Sequence, residues 1–339
     1  MAGFLKGKDM TYAQFKTVAY KHKYEIAIET EEERISFGEL LERAGALYNS
    51  FCQMGVAGKT VAIFTNRCPQ TVYAVLAASR AGARCVIMRA SGPISKIKET
   101  LSVYRPSAAI LHACHLDRLT PALLSAGCKS AITVGKTESE MMPSLYTLSE
   151  LMDINSYSIV TPPLSEGSVV LANDGVRFDA SEAIEKVPAR EGIYNSLPLY
   201  CGAGFDAMWQ TLMSGHKCFF TDMPSRQLFK RKKIALALLY EGDDNFGCDA
   251  VYYSNPDTFC INGEFLYPEE CEEAVGNATG YPVRCDYEDG RVKITVTLPP
   301  DSDISAVSDS PLARAVSGYC ADVFYGIICR KSVVFKKTV

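Results

Sequence analysis

Apolar residues in the first third of the chain follow two patterns, one with helical spacing and one of short uninterrupted runs. Ser36 and Glu39 have the spacing of a capping box, in which each side chain bonds a backbone amide at the start of a helix. The apolar positions around and after this box recur every three or four residues, and they are Phe37, Leu40, Leu41, Ala44, Leu47, Tyr48 and Phe51. This spacing predicts a helix with one buried face that ends near Gly55.

Short apolar runs alternate with helical segments over residues 60–134. The runs predict strands at 60–64, 83–88, 108–111 and 130–134, and the intervening segments predict helices at 69–81, 93–104 and 117–126. Uninterrupted apolar runs that are joined by helices are typical of parallel strands covered on both faces. The sequence therefore predicts an α/β fold, with parallel or mixed sheets layered with helices.

A second, shorter α/β segment follows over residues 168–240. It is predicted to contain strands at 168–172, 192–196 and 217–221 and helices at 205–214 and 227–240. The next residues, 241–247, are polar and contain glycine, which is typical of a linker.

The last part of the chain predicts a small α+β domain. A strand is expected at 250–253, a helix at 268–278, a helix after Ser310 and a closing strand at 332–335. Two strands, at 283–287 and 291–297, are joined through Asp289-Gly290, which is a strong hairpin signal. We therefore predict an N-terminal domain at 1–247, with subdomains at about 1–160 and 161–247, and a C-terminal domain at 248–339.

Composition excludes several classes of function. The chain has 35 Lys and Arg against 39 Asp and Glu, so its net charge of −4 gives no reason to expect nucleic acid or a membrane as a partner. No apolar run is long enough for a transmembrane helix. The 13 cysteines include no Cys-x-x-Cys pair, and the chain starts without the apolar core of a signal peptide. Reduced thiols and a cytoplasmic location are therefore predicted.

Three stretches, in the same order, resemble the adenylate-forming superfamily of acyl- and aryl-CoA synthetases. Residues 35–88 look like its opening segment, with a helix, an apolar strand, Asn66 and a second helix that closes on Ala81-Gly82-Ala83. Residues 196–220 are similar to its Pro-Leu-aromatic helix, which is followed by a glycine and a strand. Residues 257–275, with Gly263-Glu264 and Pro268, resemble the start of its mobile C-terminal domain. Together the stretches span residues 35–275, which is most of the length of the chain.

The resemblance implies a reaction and a set of cofactors. In the family, a carboxylic acid attacks the α-phosphorus of ATP, which gives an acyl-adenylate and releases pyrophosphate, and most members then pass the acyl group to CoA or a carrier thiol. This chemistry requires a phosphate cradle, a magnesium ion and a cation beside the developing charge.

Several family motifs are missing. The phosphate loop of the family is rich in Ser, Thr and Gly and ends in Lys, whereas residues 172–177 read Ala-Asn-Asp-Gly-Val-Arg. The aromatic-Gly-x-Thr-Glu run and the Thr-Gly-Asp that holds ribose are absent from the sequence. Lys336 and Lys337 stand near the position of the catalytic lysine, but the glycine that precedes it in the family is missing. We therefore expect adenylation to be lost or strongly altered, and no catalytic residue is assigned.

The resemblance also implies two candidate sites. The stretch that matches the acyl pocket of the family consists of Tyr200, Gly202, Gly204, Phe205, Met208 and Trp209. Several of these side chains also have the spacing of an ordinary buried helix face, and the favoured alternative interpretation is that they are simply core. The turn that places the C-terminal domain in the family corresponds to Asn262, Gly263 and Glu264, and the alternative interpretation is a plain turn before a helix.

Two further groups of His and Cys residues do not predict a functional site. His112, Cys114 and His115 have no second Cys/His pair nearby in sequence, so no metal site is predicted. Cys201 and His216 resemble a nucleophile and a base, but the sequence offers no third group to orient them.

Three functions remain open at this point. The preferred one is a degenerate, non-adenylating relative that binds an acyl or aryl acid, a thioester or a protein partner, with no cofactor assigned. The second is an active acid–thiol ligase that uses ATP–Mg and CoA through an unusual nucleotide site. The third is a structural assembly factor.

Overall fold

The structure is a computed structural model that describes residues 12–137, 139–155, 167–171, 178–255, 258–261, 264–288, 291–303 and 333–337. The chain divides into two compact units, and the main boundary between them lies after Tyr253. The short segment Ser91–Lys96 is grouped with the second unit.

Helices and strands alternate along most of the described chain. The helices are α1 (Tyr12–Lys21), α2 (Phe37–Gln53), α3 (Pro69–Arg80), α4 (Ile94–Tyr104), α5 (Leu116–Ser125), α6 (Leu148–Asn155), α7 (Ser181–Glu185), α8 (Gly202–Met213), α9 (Arg226–Lys232) and α10 (Pro268–Thr279). Strands β1 to β9 are Ile26–Glu29, Arg34–Ser36, Thr60–Ile63, Arg84–Ile87, Ala108–His112, Ser130–Val134, Ser144–Thr147, Val169–Leu171 and Gly192–Asn195. Strands β10 to β17 are Lys217–Phe219, Ile234–Tyr240, Asp249–Tyr253, Phe259–Ile261, Glu264–Leu266, Val283–Glu288, Arg291–Leu298 and Val333–Lys337. None of the described helices is both long and apolar enough to cross a membrane.

The first unit contains a six-stranded sheet, here called sheet I, with strand order β7-β6-β5-β3-β4-β8. All of its neighbouring strands are parallel. Val61, Ala62 and Ile63 in β3 are fully buried, as expected for a strand that is covered on both faces. The predicted α/β fold is therefore confirmed.

The first long helix begins as its sequence predicts. The Ser36 hydroxyl accepts a hydrogen bond from the Glu39 amide, and the Glu39 carboxylate accepts one from the Ser36 amide at 2.7 Å. These bonds lower the pKa of Glu39 below its ordinary value, because they favour the charged carboxylate. The apolar face of α2, including Phe37, Leu40 and Leu47, is fully buried.

A second six-stranded sheet, sheet II, has strand order β12-β11-β9-β10-β1-β2. Its pairs are parallel except for β1 and β2, which are antiparallel. The predicted helix at 227–240 is wrong, because α9 ends at Lys232 and β11 occupies Ile234–Tyr240. Lys233 adopts the left-handed conformation that ends a helix. The apolar run after it forms an interior strand between β9 and β12.

The connection at 241–247 lies within sheet II rather than between the compact units. It joins β11 to β12, and these strands pair in parallel from Leu236↔Asp249 to Tyr240↔Tyr253. The predicted domain division at 247/248 therefore falls just before a strand of the first unit.

The second unit is built on a three-stranded sheet of order β15-β16-β17. The predicted hairpin is confirmed, since β15 and β16 are antiparallel from Val283↔Val296 to Glu288↔Arg291. Helix α10 contributes Cys271 and Val275 to the core of this sheet. The helix predicted after Ser310 lies outside the described residues.

Candidate functional site

Polar side chains lie at the carboxyl ends of the parallel strands in both sheets. Together they form what we call the carboxyl-end cluster, which comprises Asn66, Arg67, His112, Tyr194, Ser196, Thr221, Asp222 and Asp243. Crevices at the carboxyl ends of strands are where open α/β sheets ordinarily bind ligands. Contacts across this cluster join the two sheets, because Arg67 follows β3 in sheet I and Asp222 follows β10 in sheet II.

Arg67 is the central cation of the cluster. Its guanidinium lies 2.7 Å from the carboxylate of Asp222, and it donates to the Thr221 carbonyl at 3.5 Å. The Arg67 side chain is only 6% exposed, whereas that of Asp222 is 86% exposed. The pair is therefore asymmetric, with a buried cation and an anion whose side chain lies largely in solvent.

Tyr194 and Asp243 lie beside this cation. The Tyr194 hydroxyl donates to the Thr221 carbonyl at 3.4 Å. Burial raises the pKa of Tyr194, and the neighbouring Arg67 opposes that rise. Asp243 accepts hydrogen bonds from the Ser196 hydroxyl at 3.4 Å and from the Tyr240 amide at 3.3 Å. Burial raises the pKa of Asp243, while these donors and Arg67 act in the opposite direction.

Two asparagines, the buried Asn195 and the half-buried Asn66, shape the loop between β9 and α8. The Asn195 amide donates to the Gly204 carbonyl at 2.9 Å, and its oxygen accepts from the Leu197 amide at 3.0 Å. The oxygen of Asn66 accepts from the Leu199 amide at 2.9 Å. The loop that follows β9 is thus fastened to the first turn of α8 and to the end of β3.

Gly204 allows α8 to approach this loop closely. A Cβ atom at position 204 would lie 2.1 Å from the carbonyl oxygen of Pro198 and 2.6 Å from that of Leu197. Any side chain would collide with backbone, so glycine is required here for packing.

The candidate acyl-pocket residues lie at the start of α8 and along it. Tyr200 and Met208 are each 1% exposed and Phe205 is 7% exposed. Gly202 and Gly204 are buried in the first turn. The Trp209 ring lies 6.0 Å from that of Phe15 on α1. The structure brings these residues together on one helix, and their role in lining a pocket stays a prediction.

The other predicted motifs have separate positions. Asn262 and Gly263 lie outside the described residues, and Glu264 begins β14. Lys336 and Lys337 lie within β17, where they pair with Thr297 and Leu298 of β16. These two lysines are therefore part of a strand, and not of a loop after the final strand.

The histidines do not form a catalytic or metal-binding arrangement in the described residues. Burial lowers the pKa of His112, and burial together with His112 and Arg118 lowers that of His115 to about 4, so both rings are neutral at pH 7. No group of three His, Cys, Asp or Glu side chains in the described chain could hold a metal ion. Cys201 and His216 flank opposite ends of α8, which is 12 residues or about 18 Å long, so they do not form a nucleophile–base pair.

Sheet II contains a buried cluster of charged side chains that was not predicted from the sequence. The Glu29 carboxylate, 5% exposed, lies 2.5 Å from the Lys217 ammonium and 3.0 Å from that of Lys232. Burial alone would raise the pKa of Glu29, but hydrogen bonds and charge from the two lysines outweigh it, so the pKa is lowered. Nearby, the Thr221 hydroxyl donates to Glu31 at 2.5 Å and fixes the loop that carries Asp222.

Comparisons with known proteins agree with this architecture. The profile of the AMP-binding enzyme family matches residues 15–156. No curated protein matches the chain by sequence. Among solved structures, a double mutant of o-succinylbenzoate CoA synthetase from Bacillus subtilis superposes with a TM-score of 0.63 at 11% identity, over 95% of this chain and 94% of that one.

Two further ligases show the same likeness. Coronafacic acid ligase from Pectobacterium brasiliense has a TM-score of 0.58 at 12% identity, over 97% of this chain and 94% of that one. A benzoate CoA ligase from Burkholderia xenovorans has a TM-score of 0.54 at 13% identity, over 96% of each chain. Identities this low show a shared fold. The resemblance inferred from the sequence is therefore confirmed: residues 15–156 match the AMP-binding enzyme family, and the chain has the fold of the adenylate-forming acyl- and aryl-CoA ligases.

Proposed function

We propose that this protein is a non-adenylating member of the adenylate-forming fold, which binds an acyl or aryl acid, or its thioester, in the carboxyl-end cluster. The chain keeps the sheets and helices on which the family builds its acid-binding site. The residues that bind the triphosphate of ATP in the family are replaced by others. The proposal thus assigns recognition of the acid, and not its activation, to this chain.

The observation that carries the proposal is the sequence that follows β8. This strand lies parallel to β4 in sheet I, with Cys85↔Val169 and Ile87↔Leu171 paired. The six residues that follow it in sequence, which the resemblance aligns with the phosphate loop of the family, read Ala-Asn-Asp-Gly-Val-Arg and offer no hydroxyl and one glycine. Asp174 adds a negative charge to this segment, which disfavours phosphate binding.

The residues present do not fit ATP–Mg. A magnesium ion in a nucleotide site is held by carboxylates together with phosphate oxygens. In the part of the chain that the structure describes, no group of three His, Cys, Asp or Glu side chains could hold a metal ion, so any magnesium there would depend on phosphate oxygens and water for most of its ligands. Lys336 and Lys337 are committed to a strand, so neither takes the loop position of the catalytic lysine.

The carboxyl-end cluster does fit a carboxylate or a thioester carbonyl. Arg67 provides a cation in a partly dehydrated position, where a charge-assisted hydrogen bond is stronger than in open water. Asp222 is the partner that the ligand carboxylate replaces, because its side chain is largely in solvent. The apolar side chains of α8, among them Phe205 and Met208, are buried in the structure and are the candidates for contact with the acyl or aryl part of the ligand.

An active acid–thiol ligase is the alternative, and one observation favours it. The three solved structures described above are an acyl-CoA synthetase and two acid ligases, and each is covered over at least 94% of its length. A chain that shares this fold over such a length could bind ATP through a nucleotide site of different sequence.

One pair of assays separates the two functions. The purified chain is incubated with a panel of carboxylic acids, ATP–Mg and labelled pyrophosphate, and thermal unfolding is followed with acids, acyl-CoA thioesters, AMP and ATP–Mg. We expect no acid-dependent exchange, and stabilisation by an acid or thioester of about 2.7 kcal/mol at 100 times its dissociation constant. Robust exchange would overturn the proposal in favour of the ligase.

The role of Arg67 has its own test. Asp222→Asn removes the anion that competes for this guanidinium, and a solvent-exposed ion pair contributes about 0.2–1 kcal/mol. The affinity for the stabilising acid should therefore rise by roughly 1.4- to fivefold. The matched control, Asp286→Asn, neutralises the acid of another exposed pair with Arg284 and should leave the affinity unchanged. Equal behaviour of the two variants would show that Arg67 does not anchor the acid.

A further inference from the structure

The first helix presents an unusual exposed surface. On α1 and the turn after it, Tyr20 is 64% exposed and Tyr24 is 89% exposed. On the opposite side of α1, Phe15 and Ala19 are fully buried against the first unit. The exposed tyrosines are therefore held outward by a helix that is docked firmly through its other face.

Lysines surround these rings. The Lys16 ammonium lies 5.6 Å from the centre of the Tyr20 ring, and that of Lys23 lies 5.6 Å from the centre of the Tyr24 ring. Lys21 is also exposed. We call this surface the lysine–tyrosine face, and it consists of Lys16, Tyr20, Lys21, Lys23 and Tyr24.

The distribution of charge separates this segment from the rest of the chain. Residues 1–24 contain five lysines and one aspartate, which gives +4, while the whole chain carries −4. The remaining residues therefore carry −8. The net charge of the whole chain is mildly acidic, but the segment at 1–24 is basic. The net charge of the whole chain therefore does not exclude an anionic membrane as a partner of this segment.

We propose that the lysine–tyrosine face docks the protein on an anionic lipid surface. Tyrosine is enriched at membrane–water interfaces because its ring is apolar and its hydroxyl is polar. Lysine places its apolar stem near the acyl boundary and its charge among lipid phosphates. The proposal is independent of the carboxyl-end cluster.

A nucleic acid fits the same surface less well. Proteins that hold single strands use a groove that tracks the phosphates and aromatic rings that are open for stacking on bases. Here the surface is a helix face, and each ring already has a lysine over it. Residues 1–24 contain no arginine, which is the residue that most often recognises bases.

The test measures binding of the full chain to vesicles by sedimentation. Phosphatidylcholine vesicles are compared with vesicles that also contain phosphatidylserine, at low and at high salt. The test variant is Lys16→Gln/Lys21→Gln/Lys23→Gln. Its matched control is Lys98→Gln/Lys129→Gln/Lys136→Gln, which removes the same charge at three exposed lysines elsewhere.

The proposal predicts binding to the anionic vesicles that weakens with salt. Each lysine near such a surface contributes a factor of about five, so the test variant should lose about a hundredfold in affinity and the control should retain it. Tyr20→Ala/Tyr24→Ala should weaken binding without changing the net charge. The proposal is overturned if the native chain does not sediment with anionic vesicles, if both lysine variants lose affinity equally, or if single-stranded DNA binds where vesicles do not.

Discussion

The close approach of α8 to the loop before it makes a sharp prediction about stability. In Gly204→Ala, the new Cβ would lie 2.1 Å from the Pro198 carbonyl oxygen and 2.6 Å from the Leu197 oxygen. Ordinary contacts for such an atom begin near 3.4 Å, so helix and loop must separate by more than 1 Å. That movement strains the hydrogen bonds that Asn195 makes to both segments.

The expected magnitude follows from two opposing terms. Overpacking of this kind costs about 1–3 kcal/mol, and more where the obstacle is backbone. The higher helix propensity of alanine offsets this loss of stability by up to about 1 kcal/mol. We therefore expect a net loss of about 2 kcal/mol, which lowers the melting temperature by roughly 4–8 °C for a unit of this size.

The same substitution elsewhere provides the control. At Gly276 in α10, a Cβ would be 3.5 Å from the nearest atom, the Tyr281 carbonyl oxygen, which is an ordinary contact. Gly276→Ala should therefore stabilise its unit by up to about 1 kcal/mol. Both variants are measured by thermal and urea unfolding. Stabilisation by both, or an equal loss in both, would refute the reasoning about the loop.

Three further predictions concern stability. Glu29→Gln leaves the ammonium groups of Lys217 and Lys232 without their buried anion, and we expect a loss of about 3–5 kcal/mol in urea unfolding. The pKa of Glu29 in the folded protein lies below its ordinary 4.5, so its contribution to stability is present above pH 4.5 and is lost as the pH falls through the folded pKa. The free energy of unfolding should therefore decline less below pH 4.5 in the variant than in the native chain. An unchanged decline would contradict the assignment. Ser36→Ala removes the side-chain cap of α2 and should cost about 1 kcal/mol in the same assay, while no loss would show that the cap does not hold in solution. Lys233→Gly relieves a left-handed backbone conformation with φ of 53° and should stabilise by about 0.5–1 kcal/mol, whereas a loss would indicate that the lysine side chain stabilises the junction.

The elements that sequence predicts well are those specified by local spacing. The capping box at Ser36 and the hairpin of β15 and β16 depend on residues that are close in sequence, and each strand of sheet I is marked by its own local apolar run, although strand pairing joins distant positions such as Cys85 and Val169. The strand β11 was missed because its apolar run continues directly from α9 without a glycine or proline to separate them. Its interior position in sheet II, and not its local pattern, makes it a strand.

The carboxyl-end cluster was missed for a different reason. Arg67 and Asp222 are separated by 155 positions along the chain, so no local pattern connects them. A usable signal was nonetheless present, since both residues come shortly after predicted strands at 60–64 and 217–221. Parallel strands bring such positions to one edge of a sheet. Pairing across the two sheets, however, depends on how the sheets pack, which periodicity does not encode.

The most direct test of the central claim is acid-dependent exchange of labelled pyrophosphate into ATP by the purified chain. The panel covers short, long and aromatic carboxylic acids, with an active acyl-CoA ligase as the positive control for the assay. The account predicts exchange at the level of the enzyme-free background with every acid, including any acid that stabilises the protein against heat. Exchange well above background with any one acid would contradict it and would establish that the loop at 172–177 supports adenylation.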